Sequence, residues 1–302
     1  MKKLENYLDL HMHTSYSLDG EYSPEKLVEL CGAAGVRIMS ISDHNSAKAN
    51  KAAALEAKRA GIVYINGIEL DCRFKNADLH VLGYGIDDGT VDFERFERAF
   101  KEQHVQVSKK SLEFVRSLGF KIEAQELREH AGEDKDIWTG ELFAEVLLAK
   151  PQYNDSEILL PYRSGGARAD NPYVNFFWDW FSQGKPGYVG VELPALVEIT
   201  DAIHKNGGKA VLAHPGKSLE GQFGLLDEMV GLGLDGIEAE SSYHSAQTTD
   251  YFFKKAKELG LFVTGGSDFH GKTKPSIVLG TYGRAMSDSA VEAQLREEKI
   301  IQ

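Results

Sequence analysis

Two hydrophobic patterns alternate along the first part of the chain. Short apolar runs, such as residues 36–42 and 79–84, have the length of buried strands and are bounded by polar residues. Between them lie segments with helical spacing. The first, residues 24–34, follows Ser23 as a predicted N-cap and ends at Gly35. This alternation predicts right-handed βαβ units and a parallel sheet.

The alternation stops between about residues 90 and 188, where the sequence is mostly helical and charged. A long amphipathic helix is predicted over residues 93–118, with shorter helices over 123–130 and 137–149. An aromatic cluster follows, which is either the core of this region or a surface on which a base stacks. Its members are Phe176, Phe177, Trp178, Trp180 and Phe181.

Strands and helices alternate again after this region, so the interruption divides the chain into three predicted parts. They are the first part of an α/β barrel (1–89), an inserted helical subdomain or lid (90–188) and the second part of the barrel (189–302).

Side chains that commonly bind metal ions lie in the predicted strands or directly after them. His11 and His13 are two positions apart, so an extended backbone points both rings to one face. Six of the ten histidines occupy such positions: His11, His13, His44, His80, His214 and His270. A histidine-rich edge could simply pack against the core. Because active sites of parallel α/β barrels lie at the carboxyl ends of strands, however, the pattern favours a metal site.

Composition narrows the class of protein further. The formal net charge of −12 disfavours binding to a long nucleic acid, unless several bound cations change the local charge. No apolar run reaches the roughly 18 residues of a membrane span, and residues 1–7 lack the apolar region of a signal peptide. With Cys31 and Cys72 as the two cysteines, a reducing, cytoplasmic setting is expected.

Six motifs, in this order, resemble those of the PHP (polymerase and histidinol phosphatase) family. They are His11-Met12-His13 with Asp19, Ser42-Asp43-His44, Gly67-Ile68-Glu69, Leu79-His80, Ala213-His214-Pro215 and Ser267-Asp268-Phe269-His270. The resemblance covers residues 1–88 and about 189–285. It implies a distorted (β/α)7 TIM-like barrel that binds two or three divalent ions.

The resemblance also implies three ligand sets. One is His11, His13, Glu69 and Asp268; a second shares Glu69 and adds His80 and His214; a third is Asp19, His44 and His270. Imidazole and carboxylate ligands suit Zn, Mn or Fe. Such ions lower the pKa of a bridging water from about 15.7 toward neutrality and thus provide a hydroxide nucleophile. The implied reaction is hydrolysis of a phosphate ester.

Other residues are candidates for roles around these ions. Asp43 is expected to orient a ligand histidine. His244 is expected to bind phosphate or protonate the leaving oxygen, or else to be a polar loop residue. Lys217 follows His214 by three positions and is either a phosphate contact or a solvated lysine.

The region between the two barrel parts bears on the substrate. Residues 184–189 and 265–271 resemble the nucleotide-phosphoesterase branch of the family, whereas residues 139–144 and 241–245 depart from its motifs. Arg163 and Arg168 flank Gly165-Gly166 and are either contacts of a second phosphate or solvated loop residues.

The favoured substrate is a small phosphorylated ribose or nucleotide, either a bisphosphorylated nucleotide or a cyclic ribose phosphate. The alternative is a 5'-3' exonuclease that trims short oligonucleotides. A non-catalytic metal-binding module and hydrolysis of amides or other esters are less favoured. The expected partners are this small phosphate ester, with no long nucleic acid and no membrane, and a homo-oligomer stays open.

Overall fold

Seven strands form one sheet in the computed structural model, which describes residues 6–132 and 134–302. The strands, whose spatial order follows their order in the chain, are β1 Leu8–Asp9, β2 Ile38–Ile41, β3 Val63–Phe74, β4 Ala77–Tyr84, β5 Lys209–Leu212, β6 Gly236–Ser241 and β7 Phe262–Gly266. The backbone N–H of Leu10 donates to the carbonyl of Gly265 at 3.1 Å, and Met12 bridges to Phe269. These contacts join the two ends of the sheet, and the predicted barrel is confirmed.

Strand β4 runs antiparallel to both of its neighbours, so the prediction of a wholly parallel sheet is wrong. A two-residue turn at Lys75 and Asn76 joins β3 to β4, too short for the crossover that a parallel pair requires. Lys75 adopts a left-handed conformation there, with φ of 53°. Because the direction is reversed, His80, near the start of β4, lies opposite Asp71, near the end of β3.

Eleven α-helices surround and interrupt the sheet in the described part of the chain. They are α1 Pro24–Ala34, α2 Asn50–Ala60, α3 Val91–Ser117, α4 Ala124–His130, α5 Gly140–Leu148, α6 Pro172–Trp180, α7 Leu196–Lys205, α8 Pro215–Ser218, α9 Leu226–Val230, α10 Ala246–Leu259 and α11 Asp288–Glu297. Helix α1 has its predicted ends: the Ser23 side chain accepts from the Lys26 N–H, and Gly35 has φ of 93°. None of the described helices is both long and apolar enough to cross a membrane. Residues 1–5, on which the signal-peptide prediction partly rests, lie outside the described residues.

Helices α3 to α6 pack around a hydrophobic cluster of their own. Phe143, Phe176 and Phe181 are buried in it, and Phe177 and Trp180 pack against it. The aromatic cluster is therefore mainly the core of this region. Separate clusters lie in the barrel, where apolar residues of the strands meet those of the surrounding helices.

The helical region also contacts the loops that follow two barrel strands. After β7, Lys272 pairs with Glu145, and the N–H of Ser276 donates to Asn171 at 2.9 Å. After β5, the Lys217 ammonium lies 4.4 Å from the centre of the Trp178 ring. Contacts on both loops place the helical region beside the rim where the predicted site residues lie.

Candidate metal centre

Glu69 lies at the centre of the site and is fully buried. Its Oε2 is 3.3 Å from His11 Nε2, 3.3 Å from His13 Nε2 and 3.0 Å from His44 Nδ1, and its Oε1 is 3.0 Å from His80 Nδ1 and 3.2 Å from His214 Nε2. Burial by itself raises the pKa of a carboxyl group, but the surrounding histidines, His11 first, hold the pKa of Glu69 well below its usual range.

Asp268 is a second carboxylate at the same site, directly after β7. Its Oδ1 lies 3.0 Å from His13 Nε2 and 3.4 Å from His11 Nε2. Its Oδ2 points the other way and accepts hydrogen bonds from the Tyr243 hydroxyl and from Lys274 Nζ. Burial raises the pKa of Asp268, but Lys274 and nearby histidines outweigh burial and lower it. The two oxygens thus have different partners.

A third group forms around His270. Its Nε2 lies 3.2 Å from Asp19 Oδ2, and its ring stacks on that of His13 with 3.9 Å between centroids. The His13 ring also stacks on His44 at 4.5 Å. Asp19 and His44 belong to different segments of the chain, so the fold brings the predicted third ligand set to the same rim as the other two.

Many polar atoms of this site are buried without a hydrogen bond to any described residue. They are His11 Nε2, His13 Nε2, Asp19 Oδ1, Glu69 Oε2, Asp71 Oδ1, His214 Nδ1 and His270 Nε2. Each such atom normally costs about 1–3 kcal/mol. Four groups of three side chains each offer ligand atoms within 4.8 Å of one another: His13, His44 and His270; His11, Glu69 and His214; His11, His13 and Asp268; and His44, Glu69 and His80. These donor types, so placed, fit divalent metal ions.

The structure therefore brings together all nine residues that the sequence analysis singles out as metal ligands. They are His11, His13, Asp19, His44, Glu69, His80, His214, Asp268 and His270. Which of them binds which ion stays a prediction.

Asp43 supports the site from behind. Its carboxylate accepts hydrogen bonds from the Thr14 N–H and hydroxyl, both at 2.6 Å, and from the Ser17 hydroxyl at 2.9 Å. Ser17 Oγ lies 3.0 Å from His13 Nδ1, so Asp43 acts on His13 through Ser17. Burial raises the pKa of Asp43 to about 6 against the effect of Thr14.

Two further acidic residues contact histidines that are candidate ligands, and the sequence analysis does not identify them. Glu238 Oε1 lies 3.0 Å from His11 Nδ1, and Asp71 Oδ1 lies 3.3 Å from His80 Nε2. Asp71 could have been found, because it is two positions after Glu69 in one strand and shares its face. Glu238 is harder to find, since an irregular register between Glu238 and Glu240 breaks the alternation of β6.

His244 lies close to the site, but both of its ring nitrogens are already engaged. Nδ1 is 2.9 Å from the carbonyl of Ala239, and Nε2 accepts from the N–H of Gly216 at 2.9 Å. Burial lowers the pKa of His244, consistent with this neutral, hydrogen-bonded ring. In this arrangement His244 holds the turn after His214. A direct contact with substrate stays a prediction.

The other cationic candidates make contacts with the helical region. Lys217 lies over the Trp178 ring. Arg163 donates to the carbonyls of Leu148 and Tyr153, both at 3.1 Å. Arg168 binds Asp179 through two hydrogen bonds of 3.0 Å. A phosphate-binding role for these three residues stays a prediction. In that role, Arg163 and Arg168 would have to give up their present hydrogen bonds for bonds to a phosphate.

Several curated proteins are similar to this chain over most of its length. A 3',5'-nucleoside bisphosphate phosphatase of Chromobacterium violaceum is 28% identical over 268 residues, which is 87% of both chains. The 5'-3' exoribonuclease Rnm of Escherichia coli is 28% identical over 87% of this chain and 84% of its own. A phosphoribosyl 1,2-cyclic phosphate 1,2-diphosphodiesterase of Eggerthella lenta is 26% identical over 87% and 94%.

The fold has a counterpart among solved structures. An amidohydrolase of Chromobacterium violaceum, solved with bound sulfate and no metal, superposes with a TM-score of 0.77 at 24% identity, over 95% of this chain and 96% of its own. The sequence pattern of the PHP domain matches residues 9–159, half of the chain. With this match, the motif order and the histidine and carboxylate cluster at the barrel rim, the chain belongs to the PHP domain family.

Proposed function

We propose that this protein is a metal-dependent phosphoesterase that hydrolyses a small phosphorylated ribose or nucleotide. The observation that carries the proposal is the cluster of buried nitrogen and oxygen atoms around Glu69, which have ligand chemistry but no hydrogen-bond partner among the described residues. The names of the relatives support the reaction class, because each denotes hydrolysis of a phosphate ester.

Two or three divalent ions, of Zn, Mn or Fe, are proposed to occupy the three predicted ligand sets. When bound, they would supply Lewis acidity and neutralise charge on phosphoryl oxygens. The protein's own contribution is orientation. Glu69 presents one oxygen to each side of the cluster, and Glu238 and Ser17 fix the rings of His11 and His13 from behind.

The favoured substrate is a bisphosphorylated nucleotide, on the support of the Chromobacterium violaceum phosphatase. A cyclic ribose phosphate is the second candidate, supported by the Eggerthella lenta relative. Trimming of short oligonucleotides is the alternative, supported by the exoribonuclease names. A net charge of −12 favours small substrates over long nucleic acids. The two free cysteines, both buried, support a reducing, cytoplasmic setting.

Product release tests this proposal: inorganic phosphate from the bisphosphate, a ring-opened phosphate or inorganic phosphate from the cyclic phosphate, and mononucleotides from the oligoribonucleotide. Protein stripped of metal and reloaded with Mn²⁺ would be given adenosine 3',5'-bisphosphate, a 5-phosphorylated ribose cyclic phosphate or a short oligoribonucleotide. His11→Ala is expected to abolish release from whichever substrate is used. His204→Ala is the matched control, because His204 lies on α7, pairs with Asp235 and is far more exposed. The proposal would be refuted if the protein bound metal but released product from none of the three substrates.

A further inference from the structure

Lys274 places a buried ammonium group beside the candidate metal ligands. Its Nζ lies 2.7 Å from Asp268 Oδ2, and its side chain is 8% exposed. The same ammonium lies 5.4 Å from the centre of the Tyr243 ring. Within the loop after β7, the N–H of Lys274 donates to the Gly271 carbonyl, and Thr273 Oγ1 donates to the Asp19 carbonyl at 2.6 Å. The loop is thus tied to the site at two points.

The ammonium has donor capacity that the protein leaves unused. A lysine ammonium carries three N–H groups; among the described residues, Asp268 Oδ2 accepts from one at 2.7 Å and the Tyr243 hydroxyl lies beside a second, so a third is left without an acceptor. Asp19 and Glu141 influence Lys274 through their charges, and neither carboxylate hydrogen-bonds to it. Because a buried cation with unfilled donors is costly, the arrangement fits an additional anionic or polar acceptor at this point.

Lys274 also differs in position from the cations that the sequence analysis singles out. Arg163 and Arg168 make their hydrogen bonds inside the helical region, and Lys217 lies on Trp178. Lys274 instead contacts Asp268, whose other oxygen faces His11 and His13. The ammonium of Lys274 is therefore separated from the rings of His11 and His13 by one carboxylate group.

We propose that Lys274 is a substrate-binding residue that donates a hydrogen bond to a phosphoryl oxygen while Asp268 holds its ammonium in place. The inference rests on the proposed phosphoesterase function and identifies the cation that contacts the reacting group. A charge-assisted hydrogen bond from a preorganised ammonium stabilises a phosphoryl oxygen more strongly than a neutral donor does. Inorganic phosphate, the product of hydrolysis of a monoester, presents the same acceptor.

The test compares Lys274→Met with Lys272→Met. Lys272 is two positions earlier in the same loop, pairs with Glu145 and has a side chain that is 46% exposed. Binding of inorganic phosphate to Mn²⁺-loaded protein would be measured by calorimetry, and Mn²⁺ affinity by competition with a chelator. Lys274→Met is expected to weaken phosphate binding at least tenfold and to change Mn²⁺ affinity less than threefold. Lys272→Met is expected to leave both values unchanged.

Unchanged phosphate binding in Lys274→Met would overturn the inference, as would a loss that merely follows the loss of Mn²⁺. The second result would make Lys274 a positioning residue for Asp268. If the methionine variant does not fold, Lys274→Arg replaces it, because arginine retains the positive charge. We then expect this variant to bind phosphate more weakly than the parent protein, by less than tenfold. Parent protein that binds phosphate through Lys274 yet hydrolyses no ester would refute the proposed function and leave this inference standing.

Discussion

Two buried glutamates show how differently the same side chain is used in this protein. The Glu69 carboxylate meets five histidine rings and, within the described part of the chain, accepts no hydrogen bond from a backbone N–H. Glu240 Oε1 instead accepts from the N–H groups of Ala285 and Met286, at 2.7 and 2.6 Å, and fastens the segment before α11 to β6. The partners, and not burial, distinguish a ligand candidate from a structural carboxylate.

Glu69→Gln is expected to weaken Mn²⁺ binding at least tenfold, because an amide is a poorer ligand and carries no charge to balance the histidines. Glu240→Gln is the matched control. It should leave Mn²⁺ affinity unchanged and lower the free energy of unfolding by about 1–3 kcal/mol through its weaker backbone hydrogen bonds. Chelator competition and urea denaturation give the two values. Equal Mn²⁺ affinity in both variants would remove Glu69 from the ligand set.

Glu141, at the start of α5, predicts a pH dependence of stability. Burial, and then the charge of Asp19, raise its pKa from about 4.5 to about 7. A folded-state pKa above the unfolded value means that unfolding releases a proton between these pH values. The protonated Glu141 carboxyl therefore contributes its full stabilisation of the folded state below about pH 4.5, and this contribution is lost as the pH rises through about 7.

Urea denaturation of metal-free parent protein at pH 5 and pH 8 is expected to show this loss. Glu141→Gln should flatten the dependence and should be more stable than the parent at pH 8 by about 1–3 kcal/mol, since one pKa unit corresponds to about 1.4 kcal/mol. A variant that keeps the full pH dependence would show that another group is responsible.

At the scale of elements, the sequence predicts the ends of helices, which depend on neighbouring residues. It does not predict features that depend on the pairing of strands. The ends of α1 follow from Ser23 and Gly35, whose cap conformations need no tertiary contact. The direction of β4 depends on a hydrogen-bond ladder with two neighbours, and a short apolar run carries no sign of direction. The bulge that separates Glu238 from Glu240 is equally invisible in the sequence.

The loop between α5 and α6 gives a prediction for the helical region. Arg168 binds Asp179 bidentately, and Tyr162 donates to the same carboxylate at 2.9 Å. Arg168→Ala and Asp179→Asn should each lower the free energy of unfolding by about 0.5–1 kcal/mol, since the pair is partly exposed. The double variant should lose less than the sum. Phosphate affinity reduced tenfold in Arg168→Ala but not in Asp179→Asn would instead support the phosphate-binding role of Arg168.

At the scale of the whole molecule, the sequence predicts which residues form the candidate metal centre. It does not predict the contacts that these residues make with one another. Five of the six histidines could be assigned to one rim because they follow strands whose carboxyl ends converge, whereas His80 reaches this rim because β4 runs antiparallel. Lys274 gave no such signal, because it follows β7 by eight residues and reaches Asp268 through the conformation of the loop. Tyr243 follows β6 by two residues, but its side chain is not a typical metal ligand. Asp268 itself has φ of 56°, a left-handed conformation that a strand pattern does not foresee.

Removal of metal should abolish hydrolysis and leave the fold intact. In the metal-free protein the ligand groups balance one another: burial lowers the pKa of His11, but Glu238 and Glu69 outweigh it and raise this pKa, while the pKa of Glu69 is lowered. Because these charges are paired, we expect the hydrophobic clusters of the barrel to keep the site folded in the absence of ions. Ions bound to the folded state alone add about 2.7 kcal/mol at a hundredfold excess over the dissociation constant. Chelation should therefore lower the melting temperature by roughly 4 °C for each ion removed, without changing far-UV circular dichroism at 25 °C. Loss of that signal would show that the ions are needed for the fold itself.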